Sequence, residues 1–274
     1  MQDQATLIIS VYNKVNYLEL ALAAVARQTW ENFEIIIADD GSGQEMKDFI
    51  NNYRLTSKFH VRHIWQEDSG FRKNKILNEA IKSAATSYLI FIDGDCVPHR
   101  CFVKAHLSER VANSVLCGSR VMLSENITNS LTPEKIINGY LDKINLDMLS
   151  DAIKGKATRL EEGIFIKNEL IRRIKNRKKA SILGSNFSIE KKYLEMINGF
   201  NEDYIGPGLG EDTDIQFRLR LQNINFKSVK NYAILYHLYH SKTVESTENQ
   251  KILAETMKRN VPTCVNGLTK TVYD

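Results

Sequence analysis

Short, almost wholly apolar runs recur through the first hundred residues with helical patterns between them, and this alternation constrains the fold more than any other feature. Ala5 to Val11 (ATLIISV), Phe33 to Asp39 (FEIIIAD) and Ser87 to Asp93 (SYLIFID) are apolar on successive residues rather than on alternate ones. Such runs suit strands buried on both faces, as in the parallel sheet of an α/β fold. After the first run, Asn13 is expected to cap a helix whose apolar positions Val15, Leu18, Leu22 and Val25 share one face. A third short strand fits Val61 to Trp65 and precedes a helix from Lys73 to about Ala85. The second run ends in Asp39-Asp40-Gly41-Ser42 and the last in Asp93-Gly94-Asp95. Each acidic cluster thus falls at the carboxyl end of a strand, where open parallel sheets bind ligands.

The second half is less regular. A strand is expected at Val115 to Leu123, then a helix-rich stretch from Pro133 to about Lys179, a strand near Asn186 to Ile189 and a helix from Lys191 to Ile197. The loop Gly206-Pro207-Gly208-Leu209-Gly210 leads into Glu211-Asp212-Thr213-Asp214, which opens a helix to about Gln222. A last strand, Tyr232 to Tyr236, runs into His237 and His240, with a polar helix and tail from Glu245. No repeat or linker interrupts the pattern, so one domain over residues 1–244 with a C-terminal helix and tail, 245–274, is expected.

Hydrophobic residues at 43 % and charged residues at 26 % exclude a disordered chain. No apolar run approaches the roughly 20 residues that span a bilayer. The start Met1-Gln2-Asp3-Gln4 lacks the features of a secretory signal, so a cytoplasmic location is expected. Cys96, Cys101, Cys117 and Cys264 form no C-x-x-C pair and read as reduced thiols. The net charge of +4 excludes a general polyanion binder, and no nucleic-acid partner is expected. That charge is uneven: from Lys167 to Lys179 seven basic residues face one acidic residue.

Three clusters carry chemistry. Asp93-Gly94-Asp95 sets two carboxylates about a glycine, a pair that can hold a divalent cation or simply form a solvated turn. His237 and His240, joined to Asp95, would suit Mn²⁺, Fe²⁺ or Zn²⁺, although two histidines at this spacing are often plain surface or core residues. Glu211 and Asp212 start a helix, where acids are stabilised whether or not they act on a substrate; the glycines before them suit a close approach of backbone to a ligand.

In order, the chain carries Ser10-Val11-Tyr12-Asn13, D-D-G-S, G-F-R-(x)5-N at Gly70, Phe71, Arg72 and Asn78, then D-G-D, N-G-F at Asn198, Gly199 and Phe200, and G-E-D-T-D ending at Asp214. This set resembles family 2 glycosyltransferases of the GT-A fold over about residues 5–240. Residues 184–218 also resemble the C-terminal module of family 7 galactosyltransferases, as in bacterial chondroitin-polymerase-like enzymes. The resemblance implies a Rossmann-like α/β domain with a mixed, mostly parallel sheet: a nucleotide-binding part (5–123), a helical basic insertion (124–183) and an acceptor part (184–244). It implies inverting transfer of a hexose, Gal or GalNAc favoured over Glc or GlcNAc, from a UDP-sugar to a saccharide or lipid-linked saccharide in bacterial surface polysaccharide synthesis. By the same resemblance Ser10, Tyr12, Asn13, Asp39, Asp40, Arg72, Asn78, Asp93 and Gly94 would hold the donor. Asp95, His240 and His237 would hold Mn²⁺ or Mg²⁺, Asp212 would be the base and Glu211 would touch the acceptor. Two positions depart from the pattern: the glycine-rich loop lacks the family 7 tryptophan, and Leu77 stands where many family 2 members have arginine.

Ile166, Leu170 and Ile174, with Ile171 beside them, put an apolar stripe along the basic segment. The segment 164–179 either lies against an anionic membrane, at its cytoplasmic face, or packs on the sheet with its charges solvated. Two rival readings of the whole chain stay open: a catalytically degenerate sugar-nucleotide or carbohydrate binder, and a metal-dependent nuclease or nucleotidyltransferase gripping nucleic acid through the basic segment.

Overall fold

In the computed structural model, which describes residues 4–177, 179–208, 210–241 and 246–270, alternate residues of the strand Thr6–Val11 (β1) are buried on opposite sides. Leu7, Ile9 and Val11 join one hydrophobic cluster and Ile8 another. Both faces are covered, which is why this run is continuously apolar. The helix α1 (Val15–Val25) and strand β2 (Glu34–Asp39) follow, then α2 (Gln44–Thr56), β3 (Val61–Trp65), α3 (Lys73–Ser83) and β4 (Tyr88–Asp93). Next come β5 (Cys96–Pro98), α4 (Phe102–Ser108), β6 (Ser114–Cys117), β7 (Val121–Met122), α5 (Glu125–Ser130), α6 (Pro133–Ile137), α7 (Leu146–Ile153) and α8 (Glu169–Lys175), with a 3-10 turn at Leu160–Gly163. The chain continues through β8 (Phe187–Glu190), α9 (Lys191–Met196), α10 (Glu211–Leu221), β9 (Asn225–Ser228), β10 (Leu235–His237) and α11 (Thr247–Arg259).

Seven strands form a sheet in the order β3-β2-β1-β4-β8-β6-β9, in which β8 alone runs against the others. Leu18, Leu22 and Val25 of α1 and Met46 and Ile50 of α2 cover one face. Ile76 and Ile81 of α3, Leu194 of α9 and Ile215 and Leu219 of α10 cover the other. The strand order reverses between β1 and β4, so their carboxyl ends flank a crevice. A second sheet, β5-β10-β7, stands beside it over a third cluster that includes Leu20 of α1 and Ile127, Ile136 and Met148 of α5, α6 and α7.

Three expectations are corrected, and one of the two readings of the basic segment falls. Asn13 caps nothing: it adopts φ 48°, the cap position is Lys14, and the Asn13 side chain accepts from the Gly43 N–H at 2.9 Å. The strand expected at Val115 to Leu123 is two strands in different sheets. They part at Gly118, where an added Cβ would lie 2.2 Å from the Asn186 side chain, and Gly118 donates to the Asn186 carbonyl. The last strand begins later and includes His237. The apolar stripe of the basic segment does not pack on the sheet; Leu170, Ile171 and Ile174 are exposed while Arg172 is buried. Lys178, Leu209 and the segment boundary at residue 244 lie outside the described residues.

Candidate active site

The crevice between β1 and β4 opens into a cavity of about 440 Å³ whose walls include Ser10, Tyr12, Asp40, Lys73, Asp93, Gly94, Asp95 and Pro207. Register pairs Ser10 with Asp93, and the Ser10 hydroxyl donates to Asp93 Oδ1 at 2.7 Å. Lys73, the first residue of α3, donates to the same oxygen at 2.7 Å. Burial alone would lower the Lys73 pKa, but Asp93, Glu211 and Asp212 raise it, so the ammonium stays charged. Asp40 Oδ2 accepts from the Arg72 N–H at 2.8 Å, and burial raises the Asp40 pKa against that bond.

Not every expected donor contact faces this cavity. Asp39 is spent on structure: its oxygens accept from the Ser42 N–H at 2.8 Å and meet His63 Nε2 at 2.9 Å. Asn78 is fully buried and clamps the N-G-F turn, exchanging bonds with the Phe200 carbonyl and N–H at 2.8 and 2.9 Å. Its amide is unavailable to a nucleotide. Arg72 turns its guanidinium to the Glu67 carbonyl, and Asn13 closes the Gly43 turn. Lys73, which sequence reasoning passed over, lines the cavity with Lys14, and it is Lys73 that pairs with Asp93 there, in the place expected of Arg72.

The small sheet delivers the second cluster. Leu238 N–H donates to the Asp95 carbonyl at 2.9 Å and sets the segment after β10 against the D-G-D turn. Asp95 Oδ2 then lies 3.5 Å from His237 Nε2 and 3.2 Å from His240 Nε2. Burial pushes the Asp95 carboxyl up, but hydrogen bonds from the two imidazoles prevail and hold it well below the usual range. His240 Nδ1 lies 2.9 Å from the Ser241 carbonyl, a contact that orients the ring with Nε2 towards Asp95. His237 Nδ1 is buried without a partner among the described residues. Cys96 Sγ sits 3.3 Å from Asp95 Oδ1, and the Asp95 carboxylate, the Cys96 thiol and the His237 imidazole bring ligand atoms within 4.8 Å of one another, with His240 reaching Asp95 Oδ2 beside them. This donor set fits a divalent transition ion better than Mg²⁺, which prefers oxygen ligands throughout.

The third cluster opens α10. The Gly184 N–H donates to Asp212 Oδ2 at 2.8 Å, and an added Cβ at residue 184 would lie 2.4 Å from Asp212 Oδ1, so only glycine allows this approach. Asp212 Oδ1 makes no hydrogen bond among the described residues. Burial raises the Asp212 pKa against the Gly184 N–H and Lys73. A small recess joins Asp212 and Glu211 to Ser10, Lys73 and Asp93. Burial, with Asp212 and Asp93 nearby, pushes Glu211 up to about 7 against the pull of Lys73.

The raised Glu211 value has a pH signature. An acid that binds its proton more tightly when folded loses stability as pH climbs from its ordinary 4.5 to about 7. Glu211→Gln therefore melts higher than the parent at pH 8 by a few degrees, about 2–4 °C per kcal/mol at this size, and the gap closes towards pH 4.5. Scanning calorimetry that finds a pH-independent gap contradicts the assignment.

A mixed, mostly parallel sheet with an acidic turn at its switch point and a histidine-bearing strand beside it defines the GT-A class of nucleotide-diphospho-sugar transferase folds. Residues 6–196 match glycosyl transferase family 2, and the chain belongs to that family. Residues 172–241 also match the family described as the N-terminal domain of galactosyltransferase. The chain is 25 % identical over 244 residues to a chondroitin synthase of Escherichia coli, covering 86 % of this chain and 34 % of that protein. It is 25 % identical over 273 residues to a hyaluronan synthase of Pasteurella multocida, covering 94 % and 27 %. The chain thus spans about a third or less of the length of these relatives. Among solved structures, a Pyrobaculum calidifontis mannosyltransferase in complex with GDP-Man and Mn²⁺ superposes with a TM-score of 0.58 at 12 % identity, over 95 % of this chain and 70 % of that one. TarS of S. aureus in complex with UDP-GlcNAc gives 0.60 at 16 % identity, over 94 % and 65 %. These likenesses bear on the fold.

Proposed function

We propose that this chain transfers a hexose, galactose or N-acetylgalactosamine before glucose or N-acetylglucosamine, from a UDP-sugar to a saccharide or lipid-linked saccharide acceptor, with inversion. The convergence of Asp212, Lys73 and Asp95 on one crevice carries this reading. Asp212 takes the proton from the acceptor hydroxyl as its oxygen bonds to the anomeric carbon, and the bond from that carbon to the diphosphate breaks. One base working opposite the leaving group gives a single displacement and hence inversion. Lys73 faces the charge that develops on the departing UDP, and a cation held in place by Asp93 and partly buried is worth more than one in bulk solvent. Asp95, His237 and His240 would hold a divalent ion, with the Cys96 thiol beside them, and such an ion adds positive charge for the diphosphate when bound. Tyr12 and Asp40 line the side of the cavity suited to the uridine, with Asp40 able to accept from the uracil N–H.

UDP release from a panel of UDP-sugars in the presence of Mn²⁺ tests this function. Turnover of UDP-galactose or UDP-N-acetylgalactosamine, with water or an oligosaccharide as acceptor, is expected. Tight UDP-sugar binding with no release from any donor would favour the binding-protein alternative.

A further inference from the structure

Among the described residues, half of the exposed large apolar side chains lie between Ile137 and Ile174, a small part of the chain. Two successive helices there are turned inside out. In α7, Leu146, Leu149 and Ile153 share one face at spacings of three and four, and Leu146 and Ile153 are 83 % and 88 % exposed. The opposite face buries Met148 and Asp151, and Asp151 accepts from the Ser124 hydroxyl. In α8, Leu170 (65 % exposed), Ile171 and Ile174 face out. Arg172 instead turns in, paired with Glu109, stacked on Tyr232 at 4.0 Å and bonded to the Ile166 and Lys167 carbonyls. A folded chain that buries an arginine and an aspartate while six leucines and isoleucines stay in water has its apolar faces matched to something outside itself.

The two helices lie along one flank. The 3-10 turn packs against α7, and its Glu161 carbonyl accepts from Lys175 of α8 at 3.0 Å. Exposed cations outnumber exposed acids around the apolar faces, with Lys154, Lys156, Arg159, Lys167, Lys175 and Arg177 against Asp147, Glu161 and Glu169. Long basic side chains beside an apolar stripe can lay their stems on the apolar surface and lift their charges to a plane of anionic headgroups. A protein partner of ordinary composition would not call for this surplus of one sign. Neither helix is long enough to cross a bilayer, so the fitting depth is the interface, with leucines among the upper acyl chains.

We propose that α7, the 3-10 turn and α8 form a docking face for an anionic lipid bilayer. Each lysine or arginine within reach of such a surface contributes about fivefold in affinity. The test is sedimentation of the full chain with vesicles of phosphatidylcholine alone and with vesicles in which a third of the lipid is phosphatidylglycerol. Binding to the phosphatidylglycerol vesicles, at least roughly tenfold weaker binding to phosphatidylcholine, and loss of binding at high salt are expected. Leu146→Ser/Leu149→Ser/Ile153→Ser and Leu170→Ser/Ile171→Ser/Ile174→Ser each weaken it by about tenfold or more while the melting temperature is kept, because the replaced side chains are exposed. Parental affinity in both triple variants overturns the proposal, as does absence of sedimentation with either vesicle. Self-association in solution that the same substitutions abolish, without vesicle binding, would assign the face to a second copy instead.

Discussion

Asp212→Asn lowers the turnover number for sugar transfer by about three orders of magnitude, within the range a positioned base contributes, and leaves the dissociation constant for UDP within about twofold. The amide is isosteric, so its oxygen still accepts from the Gly184 N–H. It has no basicity to take up the acceptor's proton. Donor binding survives because the cavity walls come from β1, β2, β4, α3 and adjoining loops, Pro207 included, and α10 contributes none. Stopped assays and UDP titrations on the same preparation separate the two effects. Near-parental turnover would remove Asp212 from the chemistry and shift attention to Glu211, whose pKa near 7 also suits a base at neutral pH.

Arg218→Met gives the largest loss of stability. Arg218 is completely buried, donates from Nε to Asp214 Oδ2 at 2.6 Å, and donates from Nη1 to the Ile197 and Gly199 carbonyls at 2.8 Å each. It thereby ties the helix bearing Glu211 and Asp212 to the N-G-F turn, which Asn78 in turn ties to α3. Methionine fills similar space but leaves Asp214 as an uncompensated buried charge and two carbonyls without donors. Breaking such a pair costs about 3–5 kcal/mol, which at this chain length lowers the melting temperature by about 10 °C. Asp214→Asn/Arg218→Met should lose less than the two single changes combined, because the orphaned charge is gone. Thermal unfolding of the three variants measures this, and additive losses would mean that the two side chains act independently.

The central strands were legible because β1, β2 and β4 are buried on both sides and their sequences show it directly. Shorter pieces were not. β5 and β10 have three residues each, too few for any periodicity, and they exist because they pair with each other between the D-G-D turn and His240. The break at Gly118 is set by Asn186, almost seventy residues away, so no local pattern could mark it. The acidic and histidine clusters were legible as motifs, but the motifs alone do not separate Asp93 and Asp95, which line the cavity, from Asp39, which bonds Ser42 and His63 instead. The assignment within G-F-R-K was not: whether Arg72 or Lys73 enters the crevice depends on where α3 begins, and it begins at Lys73. Asn13, Asp39 and Asn78 sit in the quoted motifs but bond to backbone, to His63 or to Glu202, partners that no local pattern marks.

Titration calorimetry of UDP into the chain, with Mn²⁺ and then with chelator, asks whether the Asp95, His237 and His240 cluster and the β1–β4 cavity form one site. Micromolar binding with Mn²⁺, binding weakened by about tenfold or more with chelator, and no Mn²⁺ dependence in Asp95→Ala are expected, as losing a ligand and the charge it holds requires. Equal UDP affinity with and without the ion, or Mn²⁺ dependence that persists in Asp95→Ala, would contradict a single site.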